Sequence, residues 1–153
     1  MTAFPYFTRP LDLRYDPQAS SVLRGEYYRI LTGFRLMLSD RQWVDVQAGT
    51  LTDGGSIPRL AHPLLPPLGK LGQAYATHDQ LCEYLSLTVD GKPSGITRAR
   101  CDGLLYVAMQ VLGATREELA AVQGAVDLYR EAARITKPST IALKRSLEAR
   151  WNQ

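Results

Sequence analysis

The strongest constraint on the fold is a change of hydrophobic period at an octapeptide, Thr-Asp-Gly-Gly-Ser-Ile-Pro-Arg, residues 52–59. Across most of residues 27–51, apolar and polar side chains alternate with a period close to two, as in half-buried strands. Beyond residue 69, apolar positions recur at the three-to-four spacing of a buried helix face. We therefore expect an α+β fold, with an N-terminal antiparallel sheet of three to five strands and three or four helices packed on it.

The first 26 residues carry weaker signals. Leu11 to Tyr15 alternates apolar and polar residues and predicts a strand, and Asp16-Pro17 predicts a turn. Ser21 to Arg24 is interpreted as a short edge strand. Residues 88–95 contain Asp90-Gly91 and are interpreted as a loop with a tight turn.

The helical half divides at capping residues. The first helix is predicted over about 71–86, with His78 in the gap of its apolar stripe. Thr97 is the expected N-cap of a helix over 98–112, and Thr115 opens the next helix with a capping-box pattern. That third helix runs to about residue 135, and residues 139–151 form a last basic amphipathic helix.

Length and charge placement point to one domain that does not read nucleic acid. A chain of 153 residues predicts a single domain: strand-rich over 27–60, helical over 70–135, with a basic helix or tail over 137–153. The net charge is +3, and four basic residues against one acidic residue in 137–153 account for all of it. Nucleic-acid binders usually carry a basic face across the domain, so a nucleic-acid partner is disfavoured.

Other classes of protein are disfavoured by simple patterns. No apolar run reaches the length of a membrane span, and the first residues lack the pattern of a signal peptide. We expect synthesis in a cytoplasm without an export signal. Cys82 and Cys101 have no disulfide-framework spacing and fall on apolar helix faces, so both are expected to be reduced core residues.

The octapeptide itself allows two interpretations. Its double glycine permits positive φ, and successive N–H groups there can form an anion-binding concavity. Alternatively, Asp53 binds those N–H groups, Ser56 caps a short turn and Arg59 pairs with an acid, which would make the segment a stapled junction between sheet and helices.

Three further polar residues lie where helices can face the octapeptide. His78 together with carboxylates from elsewhere would suit a divalent metal. Asp79 points about 100° away on the helix, so it is not expected to share a metal with His78, and it can pair with Arg98 or Arg100. Asp102 lies four residues after Arg98, which predicts an ion pair. A Cys82 nucleophile with His78 as its base is a further alternative.

These motifs together resemble a known family. Thr52–Arg59, a proline-rich Leu-Leu-Pro-Pro, Ala-Thr-His-Asp-Gln-Leu-Cys at 76–82 and Arg-x-x-x-Asp at 98–102 occur in that order. The pattern is similar to that of phage and prophage proteins grouped as domain of unknown function 1353, over roughly residues 25–113. Gln80 and Cys101 depart from it without removing a polar residue. The resemblance implies a phage or prophage origin but supplies no reaction. The shared polar set is Asp53, Ser56, Arg59, His78, Asp79 and Asp102, to which the helix pattern adds Arg98.

Two functions follow as hypotheses. The first is a non-enzymatic virion component of the tail or baseplate region, made in the host cytoplasm, with other phage proteins and a second copy of itself as candidate partners. Its basic C-terminal helix would pack on a neighbouring subunit. The second is a small hydrolase of cell wall or another polymer, with Asp53, His78 and Asp102 as catalytic residues or as ligands of a divalent metal, the one cofactor that this set suits.

Overall fold

The computed structural model describes residues 3–54, 68–132 and 138–151, and the side chains in these ranges apart from 127–140. The α+β class is confirmed. In chain order the described elements are β1 (Tyr6–Phe7), β2 (Leu13–Tyr15), α1 (Pro17–Leu23), β3 (Tyr28–Ile30), β4 (Phe34–Met37), β5 (Gln42–Val46), β6 (Leu51–Thr52), α2 (Gly72–Tyr84), β7 (Ser86–Val89), β8 (Lys92–Gly95), α3 (Arg98–Val111), α4 (Arg116–Ala132) and α5 (Pro138–Ala149).

The strands form two antiparallel sheets. The larger has five strands in the order β1-β4-β5-β7-β8, and the smaller has the order β2-β3-β6. Its register pairs Leu36 with Val44 across β4 and β5, so their buried side chains lie together on one face. The larger sheet matches the expected strand number, whereas the separate smaller sheet was not predicted.

The segment expected to be a loop over residues 88–95 is instead a hairpin. Asp90 and Gly91 have φ of 52° and 77°, and positive φ at both central residues suits the right-handed twist of paired strands. Strand β7 pairs with β5 through Trp43 and Thr88, so a tertiary contact converts this short polar segment into a strand. Pro93 is tolerated because β8 lies at the edge of the sheet.

The edge strand expected at Ser21 to Arg24 is wrong, because most of this segment belongs to helix α1. The Asp16 carboxylate accepts a hydrogen bond from the Ala19 N–H at 2.9 Å, and proline occupies the start of the helix. Asp-Pro here is an N-cap followed by a first helical residue, where the missing N–H of proline does no harm.

Helix α2 lies between two apolar clusters. One joins the larger sheet to α2, α3 and α4, and includes Leu36, Tyr75, Leu81 and Leu104. The other, with Ile30, Phe34, Val46 and Ala76, joins both sheets to the opposite side of α2. Residues 71–77 are therefore all buried.

The predicted faces of the later helices are confirmed at their centres. Helix α3 buries Cys101, Leu104, Leu105 and Ala108, and Thr97 caps it by accepting from the Arg100 N–H at 3.1 Å. The capping box that begins α4 is also present. Thr115 N–H donates to Glu118 Oε1 at 3.0 Å, and Glu118 N–H donates to Thr115 Oγ1 at 3.1 Å.

Helix α2 ends without a glycine. Leu85 adopts φ of 49° and ψ of 44°, and its N–H donates to the Leu81 carbonyl at 2.8 Å. Leu85 was expected on the buried stripe, yet it is 43% exposed because this left-handed residue turns the chain directly into β7.

Helix α5 is held on the body of the chain by polar and aromatic contacts. The Arg29 guanidinium donates to Gly49 O at 2.9 Å and to Leu147 O at 3.3 Å, and lies 5.7 Å from the centre of the Trp151 ring. Gly49 has φ of 93°, and a Cβ placed there would lie 2.7 Å from the same ring. These contacts tie the end of the described chain to β3 and the turn after β5.

Basic residues of α5 are neutralised within the chain. Lys144 Nζ donates to Glu83 Oε1 at 2.8 Å and lies 3.3 Å from Glu148, while Arg145 Nε donates to Glu83 Oε2 at 3.2 Å. Glu148 also accepts from the Leu51 N–H at 2.8 Å. The helix that was expected to pack on a neighbouring subunit therefore packs on its own chain.

Among the described helices, none combines the length and the apolar character needed to cross a bilayer.

We expect the Glu83 contacts to make stability depend on pH. Burial raises the pKa of Glu83, but Lys144 and Arg145 outweigh it and hold that pKa below the usual glutamate value of 4.5. A lowered carboxylate pKa stabilises the fold above the unfolded-state value, and the contribution is lost as pH falls through the folded-state value. Glu83→Gln should therefore lower the free energy of unfolding by about 2 kcal/mol at pH 7, because Lys144 loses a buried partner.

Urea unfolding of the Glu83→Gln variant and the unchanged protein at pH 7 and pH 3.5 measures this difference. The gap should shrink at the lower pH. Glu117→Gln removes an exposed carboxylate from α4 and serves as the control. An equal loss at both pH values would contradict the assignment of charge pairing to Glu83.

Candidate metal centre

Two helices bring three metal-ligand side chains together. His78 and Cys82 lie four residues apart on α2, so one face of that helix carries both. Asp102 projects from α3, which packs along α2 through the larger apolar cluster. One ligand atom from each of the three lies within 4.8 Å of the other two.

The three groups converge on a single ring nitrogen. His78 Nε2 lies 2.7 Å from Asp102 Oδ1 and 3.3 Å from Cys82 Sγ. The His78 side chain is 12% exposed, and that of Asp102 is 2% exposed. The site therefore has one accessible side, at the histidine, and a buried carboxylate behind it.

This arrangement does not suit Cys82 as a nucleophile. In a nucleophile–histidine–acid relay, the acid holds one ring nitrogen and the nucleophile uses the other. Here both groups compete for the same nitrogen. Burial also raises the pKa of the Cys82 thiol to about 12, against the partial opposing effect of Arg98. A thiol in that state contains little of the reactive thiolate.

The same convergence fits a divalent metal ion. Imidazole nitrogen, thiolate sulfur and carboxylate oxygen are the ligands that zinc takes in proteins, at about 2.0–2.3 Å. A tetrahedral site with these bond lengths separates nitrogen from sulfur by about 3.5 Å, close to the separation of Nε2 and Sγ. The shorter contact of Nε2 with Oδ1 is a hydrogen bond and would have to open by about half an ångström.

Arg98 stands beside this cluster. The predicted ion pair with Asp102 is present, with Arg98 Nε 3.8 Å from Asp102 Oδ1. That separation is too long for a hydrogen bond, and the buried Nε has no hydrogen-bond partner among the residues that the structure describes. A buried N–H without a partner costs about 1–3 kcal/mol, so its position calls for an explanation.

A second polar cluster lies on the next face of α2. Asp79 accepts a hydrogen bond from Thr52 Oγ1 at 2.9 Å, and its carboxyl group is also hydrogen-bonded to that of Asp53. Burial and then the Asp53 charge raise the pKa of Asp79 well above its usual range. The structure thus gives Asp79 other partners than the expected Arg98 or Arg100.

The octapeptide contributes through its first residues. Gly54 has the expected positive φ, 79°, but its N–H donates to Thr52 Oγ1 at 3.2 Å. Ser56 and Arg59 lie outside the residues that the structure describes. The junction therefore contacts the His78-Asp79 helix through Thr52 and Asp53.

The expected metal ligands Asp53, His78 and Asp102 are not brought to one point. His78 and Asp102 are in contact, whereas Asp53 lies against Asp79. The third ligand atom at the cluster is Cys82 Sγ. The spacing of His78 and Cys82 on one helix face was the available signal for it, but the sequence gave no reason to prefer a ligand over a core thiol.

We expect both cysteines to resist alkylation in the folded protein. With its pKa at about 12, Cys82 would be about one part in ten thousand thiolate at pH 8, and Cys101 is fully buried. Iodoacetamide labelling at pH 8, read by peptide mass spectrometry, should modify neither residue within the time that labels both in urea. Rapid and selective labelling of Cys82 in the folded protein would instead support a nucleophilic thiol.

Comparison with known proteins gives one family and no function. No curated protein and no solved structure matches the chain. A family model described as "Protein of unknown function (DUF1353)" matches residues 28–126, well over half of the chain. The matched region contains His78, Cys82, Arg98 and Asp102 as well as Asp53 and Asp79. The chain belongs to the DUF1353 family.

Proposed function

We propose that this protein is a small metal-dependent hydrolase in which His78, Cys82 and Asp102 hold a zinc ion. The observation that carries the proposal is the convergence of imidazole, thiol and carboxylate on one point between α2 and α3. Three protein ligands are typical of catalytic zinc sites, whereas structural sites usually have four.

The open position gives such a site its chemistry. Zinc with three protein ligands keeps one position for water or substrate, lowers the pKa of bound water to about 7 and polarises a carbonyl or phosphoryl oxygen. His78 is on the accessible side of the cluster, and Asp102 fixes the ring from the buried side.

Asp53 is the remaining member of the proposed catalytic set. It is half-buried at the end of β6, and its partner Asp79 directly follows His78 in α2. Consecutive residues of one helix therefore hold the metal ligand and the partner of a carboxyl group. In the proposed reaction Asp53 carries the proton that passes between water and the leaving group.

Zinc binding is the first expected outcome. Purified protein should contain about one zinc ion per chain by inductively coupled plasma mass spectrometry. Cys82→Ala should weaken zinc binding by more than about 100-fold, beyond the roughly 10–100-fold typical of losing a group behind the ligands. Cys101→Ala is the matched control, because it removes the other thiol and leaves the three ligands in place; it should keep its zinc.

The reaction is tested on the same proteins. Zinc-loaded protein should release soluble fragments from purified bacterial cell wall. Removal of zinc by a chelator should abolish that release, and Asp53→Asn should slow it with the zinc content unchanged. Protein that contains no zinc after growth and refolding in zinc would overturn the proposal, whatever its effect on cell wall.

A non-enzymatic virion component is the second candidate. It is supported by the phage-like motif pattern and by where exposed apolar side chains lie. Phe4, Tyr15, Val22 and Leu143 are each at least 40% exposed, and all four lie outside the family-matched region. Exposed apolar side chains in such extensions suit contacts with other virion proteins.

Virions decide this second candidate. In purified particles of the phage or prophage that encodes the chain, we expect peptides of this protein at the abundance of a tail component. Mass spectrometry of the particles, with the cleared host lysate as the comparison, measures that abundance. Peptides confined to the lysate would remove the virion role and leave the hydrolase as the remaining candidate.

A further inference from the structure

Arg98 has a position that its pairing with Asp102 does not explain. It is the first residue of α3, and its side chain is 37% exposed, so the guanidinium lies at the border between the metal ligands and solvent. Its Nε is buried yet makes no hydrogen bond within the described part of the chain. The nearest oxygen of Asp102, at 3.8 Å, is the one that already contacts His78.

Other arginines in the chain show how an ordinary ion pair looks here. Arg35 Nε lies 2.7 Å from Asp45, and Arg41 binds Asp90 through two bonds of 2.6 and 2.9 Å. Both pairs are more exposed than the cluster at Asp102 and both are directly hydrogen-bonded. Arg98 is close enough to feel the Asp102 charge but does not use its fork of N–H groups on it.

The charge at the site points the same way. The argument here rests on the proposed zinc site. A zinc ion would be neutralised by the Cys82 thiolate and the Asp102 carboxylate, because the two negative charges equal the charge of the ion. The positive charge of Arg98 would then remain without compensation from these ligands. A partly exposed guanidinium beside a neutral metal site attracts an anion.

We propose that Arg98 is the anion-binding residue of the active site, so that the substrate carries a phosphate or carboxylate group next to the bond that is hydrolysed. The planar fork of a guanidinium binds two oxygens of such a group at once. The buried Nε and one terminal nitrogen of Arg98 supply that pair of donors. Phosphate and carboxylate share this chemistry, and binding measurements separate them.

The test uses zinc-loaded full-length protein and two simple anions. Isothermal titration calorimetry should detect inorganic phosphate or acetate binding at one site per chain. Arg98→Met should weaken that binding at least 10-fold with zinc content unchanged, and Arg98→Lys should restore only part of it, because lysine keeps the charge without the fork. Arg100→Met removes an exposed guanidinium from the same turn of α3 and should leave anion binding unchanged.

Each outcome decides a different point. Tighter binding of phosphate than of acetate identifies a phosphate-bearing substrate, and the reverse order identifies a carboxylate. Unchanged anion binding in Arg98→Met with full zinc content overturns the subsite and leaves the hydrolase standing. Equal weakening in Arg100→Met also overturns it, since that result reports general electrostatics. Wild-type protein without zinc overturns the proposed function, and this inference with it.

Discussion

The burial of helix α2 is the constraint on which the rest of the structure depends. Its first turns lie between two apolar clusters, so neither side of the helix faces water there. Ala74 and Tyr75 face one cluster and Ala76 faces the other. A helix enclosed in this way must find a partner inside the protein for each polar side chain it carries.

Those partners come from different parts of the chain. Gln73 donates to the carbonyl of Arg9, and Thr77 donates to the carbonyl of Gln73 within the helix. Further along α2, His78 meets α3 and Asp79 meets the end of β6. The same requirement that stabilises the helix therefore assembles the two polar clusters, and it holds them in fixed relation because they belong to adjacent residues.

The sequence predicted the parts of this fold that local patterns determine. Alternation before the octapeptide and the apolar stripes after it were sufficient for the class and for most helix bounds. Thr97 and Thr115 were recognised because capping requires particular side chains at particular positions. The hairpin at β7 and β8 was missed because its strands exist through pairing with β5, a contact between residues more than 40 positions apart. Helix α1 was missed because Asp-Pro marks a turn and a helix start equally well.

The candidate site was predictable only in its membership. His78 and Asp102 were identified as residues able to face each other, but no local pattern gives the rotation of one helix against another. That rotation placed Cys82 at the cluster and left Asp53 beside Asp79. The tethering of α5 to Glu83 was also hidden, because it joins residues about 60 positions apart and surplus charge in a terminal segment normally indicates a solvated face.

Leu85 gives the molecule a mechanical property. A single left-handed residue separates the last turn of α2 from β7, and the Ile96 N–H donates to its carbonyl at 2.9 Å. No slack chain lies between the helix that carries His78 and Cys82 and the sheet that β7 joins. A displacement of that helix along its axis would therefore be transmitted to β5 and β8 rather than absorbed in a loop. The larger sheet acts as the rigid frame against which the helix end is held.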